Sequence, residues 1–282
     1  NQGPDWQDLL FQNAPKQDYT VTFSGGTNKN TYLISGNLLN QKGIIIDSKF
    51  QRYSLHVNLD HSVKSWLQVG TSFSYSNTIN HMVTTGASIV GPEGGVIKSA
   101  LTFLPTVPLV DSTTDQYSQL YITSNPYQYA KQALNQISGP RMFSSSYIEA
   151  SLLTGLKFRS VLGWNVSSDR RDQYYPSTIN EGSYYHGRAY VSTSNSSNLS
   201  SENYFTYDKK WGINTLNATG GISYNNGTWQ FQSDGVSGFM NDALQDNNLG
   251  AASSYNQPSS SKSDWRLISY YGRINYILNS KY

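Results

Sequence analysis

The chain has 282 residues, a formal net charge of +2 and no cysteine, and only 13% of its residues are charged. With no Lys/Arg cluster larger than a pair, this charge argues against a nucleic-acid-binding protein, and the missing cysteine excludes disulfides and thiolate metal sites. The 22 tyrosines and 6 tryptophans argue against disorder, and no stretch approaches the ~20 apolar residues of a transmembrane helix.

The residue pattern predicts an all-β chain. A short helical or turn segment is expected at Asp5–Phe11, within a lead-in of residues 1–17. Nine strand-like segments follow in chain order: Tyr19–Ser24, Thr31–Asn40, Gln51–Asp60, Trp66–Asn77, Ser145–Leu153, Leu156–Val166, Asn203–Asp208, Thr215–Tyr224 and Trp265–Leu278.

The clearest pattern is a hairpin of two strands that alternate apolar and polar residues with period two. In Gln51–Asp60 the residues of one face are Tyr53, Leu55, Val57 and Leu59. A turn is predicted at His61–Ser65, and Trp66–Asn77 then repeats the alternation. Strands of roughly ten residues with aromatic residues near their ends fit a membrane-spanning β-barrel.

The connections between strands alternate between short and long. Long connections are predicted at about residues 79–143, 169–202 and 225–264, and such loops are uncommon in compact soluble domains. Outer-membrane barrels have short periplasmic turns and long extracellular loops, so we predict that residues 18–282 form part of a transmembrane barrel. A two-sheet sandwich remains the alternative, because alternation alone does not separate the two.

One face of the predicted strands carries almost no charge. A Lys or Arg at the bilayer midplane costs about 2–4 kcal/mol, so the uncharged face is expected to contact lipid. The candidate lumen-lining residues are Arg52, His56, Lys157, Arg159 and Arg273.

Catalytic and metal-binding patterns are missing. The four histidines do not stand at metal-ligand spacing and no nucleophile elbow occurs, so we expect neither an enzyme nor a cofactor site. An outer-membrane barrel hydrolase lacks a convincing nucleophile–histidine pair.

Tyrosines crowd the first two long connections, and rings with a polar tip suit sugars or peptides. The candidate ligand contacts are Tyr117, Tyr121, Tyr127, Tyr174, Tyr175, Tyr184 and Tyr185, with Tyr129 and Tyr190 beside them. Packing of the loops against each other explains any single one of them equally well.

An ordered series of strings resembles the SusC/RagA family of TonB-dependent outer-membrane transporters. The strings are DWQDLLF (Asp5–Phe11), Ala14–Ile46, FQRYSLHVNLD (Phe50–Asp60), SWLQVGTSFSYS (Ser65–Ser76), LPTVPLVD (Leu104–Asp111) with Asn125–Pro126, and SYYGRINY (Ser269–Tyr276). The resemblance implies a barrel of roughly 22 strands, of which about nine lie here. It also implies an N-terminal plug before residues 1–17, a SusD-like lipoprotein lid and energy from TonB.

The resemblance leads to a functional expectation: an internal piece of an outer-membrane transporter that imports glycans or peptides. The plug, the TonB-contacting segment and the remaining strands would lie outside this sequence. The alternative is a surface carbohydrate-binding or adhesion β protein without transport, which needs only the alternation and the loop tyrosines.

Overall fold

A computed structural model describes residues 3–85, 95–121 and 123–279. Its main feature is one antiparallel sheet that follows the chain order as a meander. The first strands of this sheet are β1 (Lys16–Gly26), β2 (Asn30–Lys42), β3 (Lys49–Lys64) and β4 (Leu67–His81). The longer strands that follow are β7 (Leu134–Leu153), β8 (Leu156–Tyr175), β9 (Arg188–Trp211), β10 (Asn214–Ser237) and β12 (Ser259–Leu278).

Short elements occupy the connections. They are α1 (Trp6–Leu10), α2 (Gly95–Thr102), β5 (Val110–Asp111), β6 (Gln116–Tyr117), α3 (Pro126–Gln132), α4 (Asn180–Ser183), a 3₁₀ helix (Gln245–Ala251) and β11 (Ser254–Tyr255). β5 and β6 pair only with each other, whereas β11 pairs with the end of β10. Among the described residues, no helix is both long and apolar enough to cross a membrane.

The predicted antiparallel sheet is confirmed, but its strands are longer than the alternation indicates. Within the described residues, the long connections shrink to residues 82–133, 176–187 and 238–258. Much of the ranges expected as loops is therefore strand, and residues 86–94 of the first range lie outside the described residues. The additional strand segments are rich in Ser and Asn on both faces, so backbone pairing with neighbours holds them rather than an apolar side-chain pattern.

The turn between β3 and β4 is also displaced from its predicted position at His61–Ser65. β3 continues to Lys64 through a register shift between Ser62 and Lys64, and only Ser65 and Trp66 separate it from β4. The prediction was wrong because the alternation weakens at Asp60 and His61 while the hydrogen-bonded pairing continues.

The two faces of the sheet differ in character. The face that carries Tyr53, Leu55 and Leu59 exposes large apolar side chains, and we call it the apolar face. Cross-strand register places further exposed members on that face: Phe23, Ile34, Ile148, Leu162, Phe205, Ile222, Ile274 and Tyr276. The opposite set of side chains forms the polar face. A soluble sheet buries its apolar face, so this arrangement is inverted.

The apolar character of that face ends part way along the strands. On β8 it covers Leu156–Val166, about 11 residues and close to the 9–11 of a membrane-spanning strand, before Arg170 follows on the same face. On β12 the corresponding first charge is Arg266. Trp164 and Tyr224, expected near strand ends, lie mid-strand, close to where the apolar stretch stops.

Two small cores lie at the end of the sheet that holds the long connections. The first contains Leu10, Val96, Tyr129, Ala130 and Ile179, with Tyr175 packed against it. The second contains Tyr174, Ala189, Val236, Phe239 and Ala252. Consecutive residues of a strand face opposite ways, so Tyr174 and Tyr175 place the two cores on opposite faces of one rim. The described part of the lead-in, residues 3–17, enters the sheet at this end, where Leu10 of α1 packs into the first core.

Candidate functional site

All five predicted lumen-lining residues lie on the polar face, but they fall into three separate groups. Lys157 and Arg159 share the carboxylate of Glu149, at 3.1 Å from Nζ to Oε1 and 3.2 Å from Nη1 to Oε2. Arg52 and His56 lie on β3, towards the other end of the sheet. Arg273 on β12 donates to Asn275 at 3.2 Å and contacts neither group.

The group near the short turns extends across three strands. The Arg159 guanidinium lies 4.0 Å from the ring centroid of Tyr147, and the Tyr147 hydroxyl donates to Asp60 at 2.7 Å. Gly70 on β4 stands between Asp60 and Tyr147 in the register. A Cβ at Gly70 would lie 2.3 Å from Tyr147 Cε1, so the phenol crosses β4 only because that residue is glycine.

The second group borders a trough of about 270 Å³ on the polar face. His56 is held at both ring nitrogens, by Ser74 Oγ at 2.7 Å and Asn58 Nδ2 at 2.9 Å. Arg52 donates to Asn37 at 3.2 Å, while its buried Nε has no partner among the described residues. Arg141 lines the same trough and pairs with Asp169 at 3.5 Å. The sequence pattern missed Arg141 because its segment was expected as loop.

The loop tyrosines divide into exposed and buried ones. Tyr121 and Tyr184 are almost fully exposed, and Tyr117 lies 6.1 Å from Tyr127, centroid to centroid. Tyr174 is fully buried and donates to Asp242 at 2.6 Å. Burial, and then this carboxylate, raises the pKa of its hydroxyl. Tyr174 therefore packs within the rim, where its buried ring offers no surface to a ligand; Tyr129 is equally buried.

Arg188 organises the remaining tyrosines at the rim. Its guanidinium lies 6.0 Å from the ring centroid of Tyr175, 5.0 Å from that of Tyr185 and 4.8 Å from that of Tyr190. Its Nε donates to the Tyr190 hydroxyl at 2.6 Å, and cation–π contacts of this kind contribute about 0.5–2 kcal/mol each. Burial raises the pKa of the Tyr175 hydroxyl. The cluster joins the end of β8 to the start of β9 and leaves Tyr185 half-exposed.

Two carboxylates, Asp172 and Asp246, lie where connection 238–258 meets β8, on the side of the sheet that carries the apolar face. Asp246 of the 3₁₀ helix is buried beside Asp172 and Arg170, whose Nε donates to Asp172 at 2.7 Å. Burial raises the pKa of Asp246, and the charge of Asp172 raises it further, whereas Arg170 lowers it. Arg170 also lies 4.0 Å from Asp246, so these contacts link the 3₁₀ helix to β8. Among the described residues, no three metal-ligating side chains gather into a site.

Three comparisons bear on the origin of this sheet. TonB-dependent receptor P3 of Formosa agariphila is 30% identical over 287 residues, covering 100% of this chain and 29% of the receptor. TonB-dependent receptor SusC of Bacteroides thetaiotaomicron is 29% identical over 142 residues, covering 50% of this chain and 12% of SusC. A chain in the structure of the RagAB peptide transporter superposes with a TM-score of 0.81 at 21% identity, covering 99% of this chain and 32% of that one. No family model matches the sequence.

These matches, with the inverted sheet, define the class: the fold is that of part of the barrel wall of a TonB-dependent receptor. The chain spans less than a third of the length of P3. Within that class, the similar proteins include SusC itself, which confirms the resemblance to the SusC/RagA family seen in the sequence.

Proposed function

We propose that the chain is part of the wall of an outer-membrane transporter that takes up a nutrient in a TonB-dependent manner. The observation that carries this proposal is the inverted sheet: large apolar side chains are exposed on one face, and charged and hydroxyl side chains lie on the other. Exposure of such a continuous apolar surface is costly in water and favourable in lipid.

In this proposal the apolar face contacts lipid, the polar face lines the lumen and the short turns face the periplasm. Residues 18–282 then form part of the barrel, and connections 82–133, 176–187 and 238–258 lie outside the cell. A SusD-like lipoprotein would cover these connections, with an oligosaccharide or peptide held between lid and loops. TonB would act through a plug supplied by another part of the protein, which would contact Arg52, His56, Lys157, Arg159 and Arg273.

Similarity to named TonB-dependent receptors favours transport over the surface-adhesion alternative. It likewise favours a non-enzymatic role, since the same relatives are named as receptors. The orientation of the sheet is the part of the proposal that substitutions can test directly.

A pair of substitutions on β8 tests the membrane orientation. Leu162 is 54% exposed on the apolar face, near the middle of Leu156–Val166, and Asn165 is an exposed residue of the polar face on the same strand. In the intact receptor, Leu162→Arg is expected to cost about 2–4 kcal/mol of insertion free energy and to deplete folded receptor from outer-membrane fractions. The matched control, Asn165→Arg, is expected to assemble normally. Equal tolerance of both variants would overturn the assigned orientation.

A further inference from the structure

Four aromatic side chains rise along the polar face in the half of β9, β10 and β12 nearest the long connections. In the register of β10, Trp265 lies opposite Gly227, and Tyr190 lies opposite Gly235. Trp229 and Phe231 lie between them on β10 itself. We call these four residues the aromatic ladder. From Gly227 to Gly235 it rises about 27 Å along the strand, at about 3.4 Å per residue.

Glycines of β10 let the outer rings of the ladder lie against the wall. A Cβ at Gly227 would lie 2.2 Å from Nε1 and 2.4 Å from Cε2 of Trp265, and one at Gly235 would lie 2.9 Å from two ring carbons of Tyr190. These rings thus occupy the space that a side chain on β10 would fill. Trp265 remains 49% exposed, so its surface is available to a ligand.

Trp229, in the middle of the ladder, is also held in place and partly exposed to solvent. Trp229 donates from Nε1 to Ser194 Oγ at 3.0 Å and stacks with Phe231 at 6.0 Å between centroids and 9° between planes. It is 42% exposed. A rigid aromatic side chain gives contact area at little cost in conformational entropy.

The polar face around the ladder carries no charge over residues 190–200, 225–235 and 257–267. Its other members are Ser192, Ser194, Ser196, Asn198, Ser200, Asn225, Ser233, Ser259, Ser261, Ser263 and Leu267. At the same height the opposite face carries Lys262, Asp264 and Arg266. Lys262 and Asp264 are about half exposed, so water reaches that face too. Solvation therefore does not explain why β9, β10 and β12 carry no charge on the ladder side over these residues. The nearest charges on that side border the ladder: Arg188 lies over the Tyr190 ring, and Arg171 and Asp169 of β8 lie opposite Ser192 and Ser194.

We propose that the aromatic ladder is a binding track for an uncharged oligosaccharide. A sugar ring offers an apolar C–H surface for stacking on an aromatic ring and a rim of hydroxyls for Ser and Asn partners, which is the combination present here. An extended peptide would find fewer hydrogen-bond partners here, because the backbone N–H and C=O groups of β10 already pair with β9 and β12. The inference rests on the proposed transport function and adds the chemical class of what moves along this wall.

The test measures ligand binding to the intact detergent-purified receptor by tryptophan fluorescence and calorimetry. The probes are five neutral hexasaccharides (of malto-, cello-, laminari-, manno- and xylo-type), hexagalacturonate as the charged arm and hexa-alanine as the peptide arm. We expect at least one neutral hexasaccharide to bind, and Trp265→Ala and Trp229→Ala each to weaken it about tenfold, which corresponds to about 1.4 kcal/mol. Trp164→Ala, which removes an equally exposed indole from the apolar face, is the matched control and should leave binding unchanged.

Three results would overturn the ladder: no neutral hexasaccharide binds, binding survives both ladder substitutions, or only the charged or peptide probe binds through the ladder. Gel mobility of unheated receptor confirms that each variant is folded.

Failure of the proposal that the ladder binds an oligosaccharide can be distinguished from failure of the transport proposal. A receptor that inserts and faces the membrane as Leu162→Arg and Asn165→Arg predict, yet binds no neutral probe, refutes the ladder alone. A receptor that binds through the ladder but supports no uptake refutes transport alone.

Discussion

Gly70 offers a sharp test of the contact that spans β3, β4 and β7. In Gly70→Val the new Cβ would lie 2.3 Å from Tyr147 Cε1 and 2.4 Å from Asp60 Oδ1. The phenol must then leave Asp60, and Arg159 loses the ring it lies over at 4.0 Å. A hydrogen bond to a charged group contributes about 1.5–3 kcal/mol and an exposed cation–π contact about 0.5–1 kcal/mol. Partial solvent exposure of these groups reduces the expected loss to about 2 kcal/mol.

Gly36→Val supplies the matched control. Gly36 lies within β2 on the apolar face, and a Cβ there would meet nothing within 4 Å. Both variants gain similar strand propensity from valine, so their difference isolates the crossing tyrosine. The measurement is thermal or urea unfolding of the intact receptor in detergent. If Gly70→Val is no less stable than Gly36→Val, the Asp60–Tyr147–Arg159 arrangement does not contribute as argued.

Two further predictions concern the rim. Because the folded pKa of Asp246 is raised, attachment of residues 238–258 is strongest at acid pH and weakens as pH rises from the unfolded value of 3.8 through the folded one. Asp246→Asn should remove this dependence and increase hydrogen-exchange protection of the segment at pH 7; an unchanged pH profile would contradict the assignment. The buried Asn125 caps α3 and donates to the carbonyls of Leu109 (3.1 Å) and Ser118 (3.2 Å). Asn125→Ala should cost about 2–4 kcal/mol locally, read as faster exchange over 109–133. Asn125→Asp keeps the oxygen that caps α3 but turns a carboxylate oxygen towards both carbonyls in a fully buried site, so it should be no more stable than Asn125→Ala.

Alternation located the strands because one face of the sheet is apolar and the other is polar. It did not locate their ends. The part of β9 nearer the long connections includes Ser192–Ser201, which contains almost no apolar residue. Only its pairing with β8 and β10 identifies it as strand. Pairing is a property of neighbours that are distant in sequence, so a local pattern does not contain it.

The residues of the candidate site likewise include some that a local pattern predicts and others that it does not. The charged residues of the polar face could be predicted, because side-chain direction follows from residue parity once a strand is recognised. Trp229 and Arg141 were missed because their segments were expected as loops. The burial of Tyr174 was also beyond a local pattern, since its contacts with Asp242 and Phe239 are about 65 residues away in sequence.

The length of the strands has a consequence for how a ligand is met. A strand of 24 residues, such as β9, spans about 80 Å at about 3.3 Å per residue, whereas the apolar stretch of β8, Leu156–Val166, is close to the length that crosses a lipid layer of about 25 Å when tilted. In the proposed orientation, the remainder of the strand lies outside the lipid, and its hydrogen-bonded pairing with both neighbouring strands fixes its shape without a ligand. Under the proposed transport function, a ligand would therefore meet a surface that is already ordered, and binding would not have to include the entropic cost of ordering the wall.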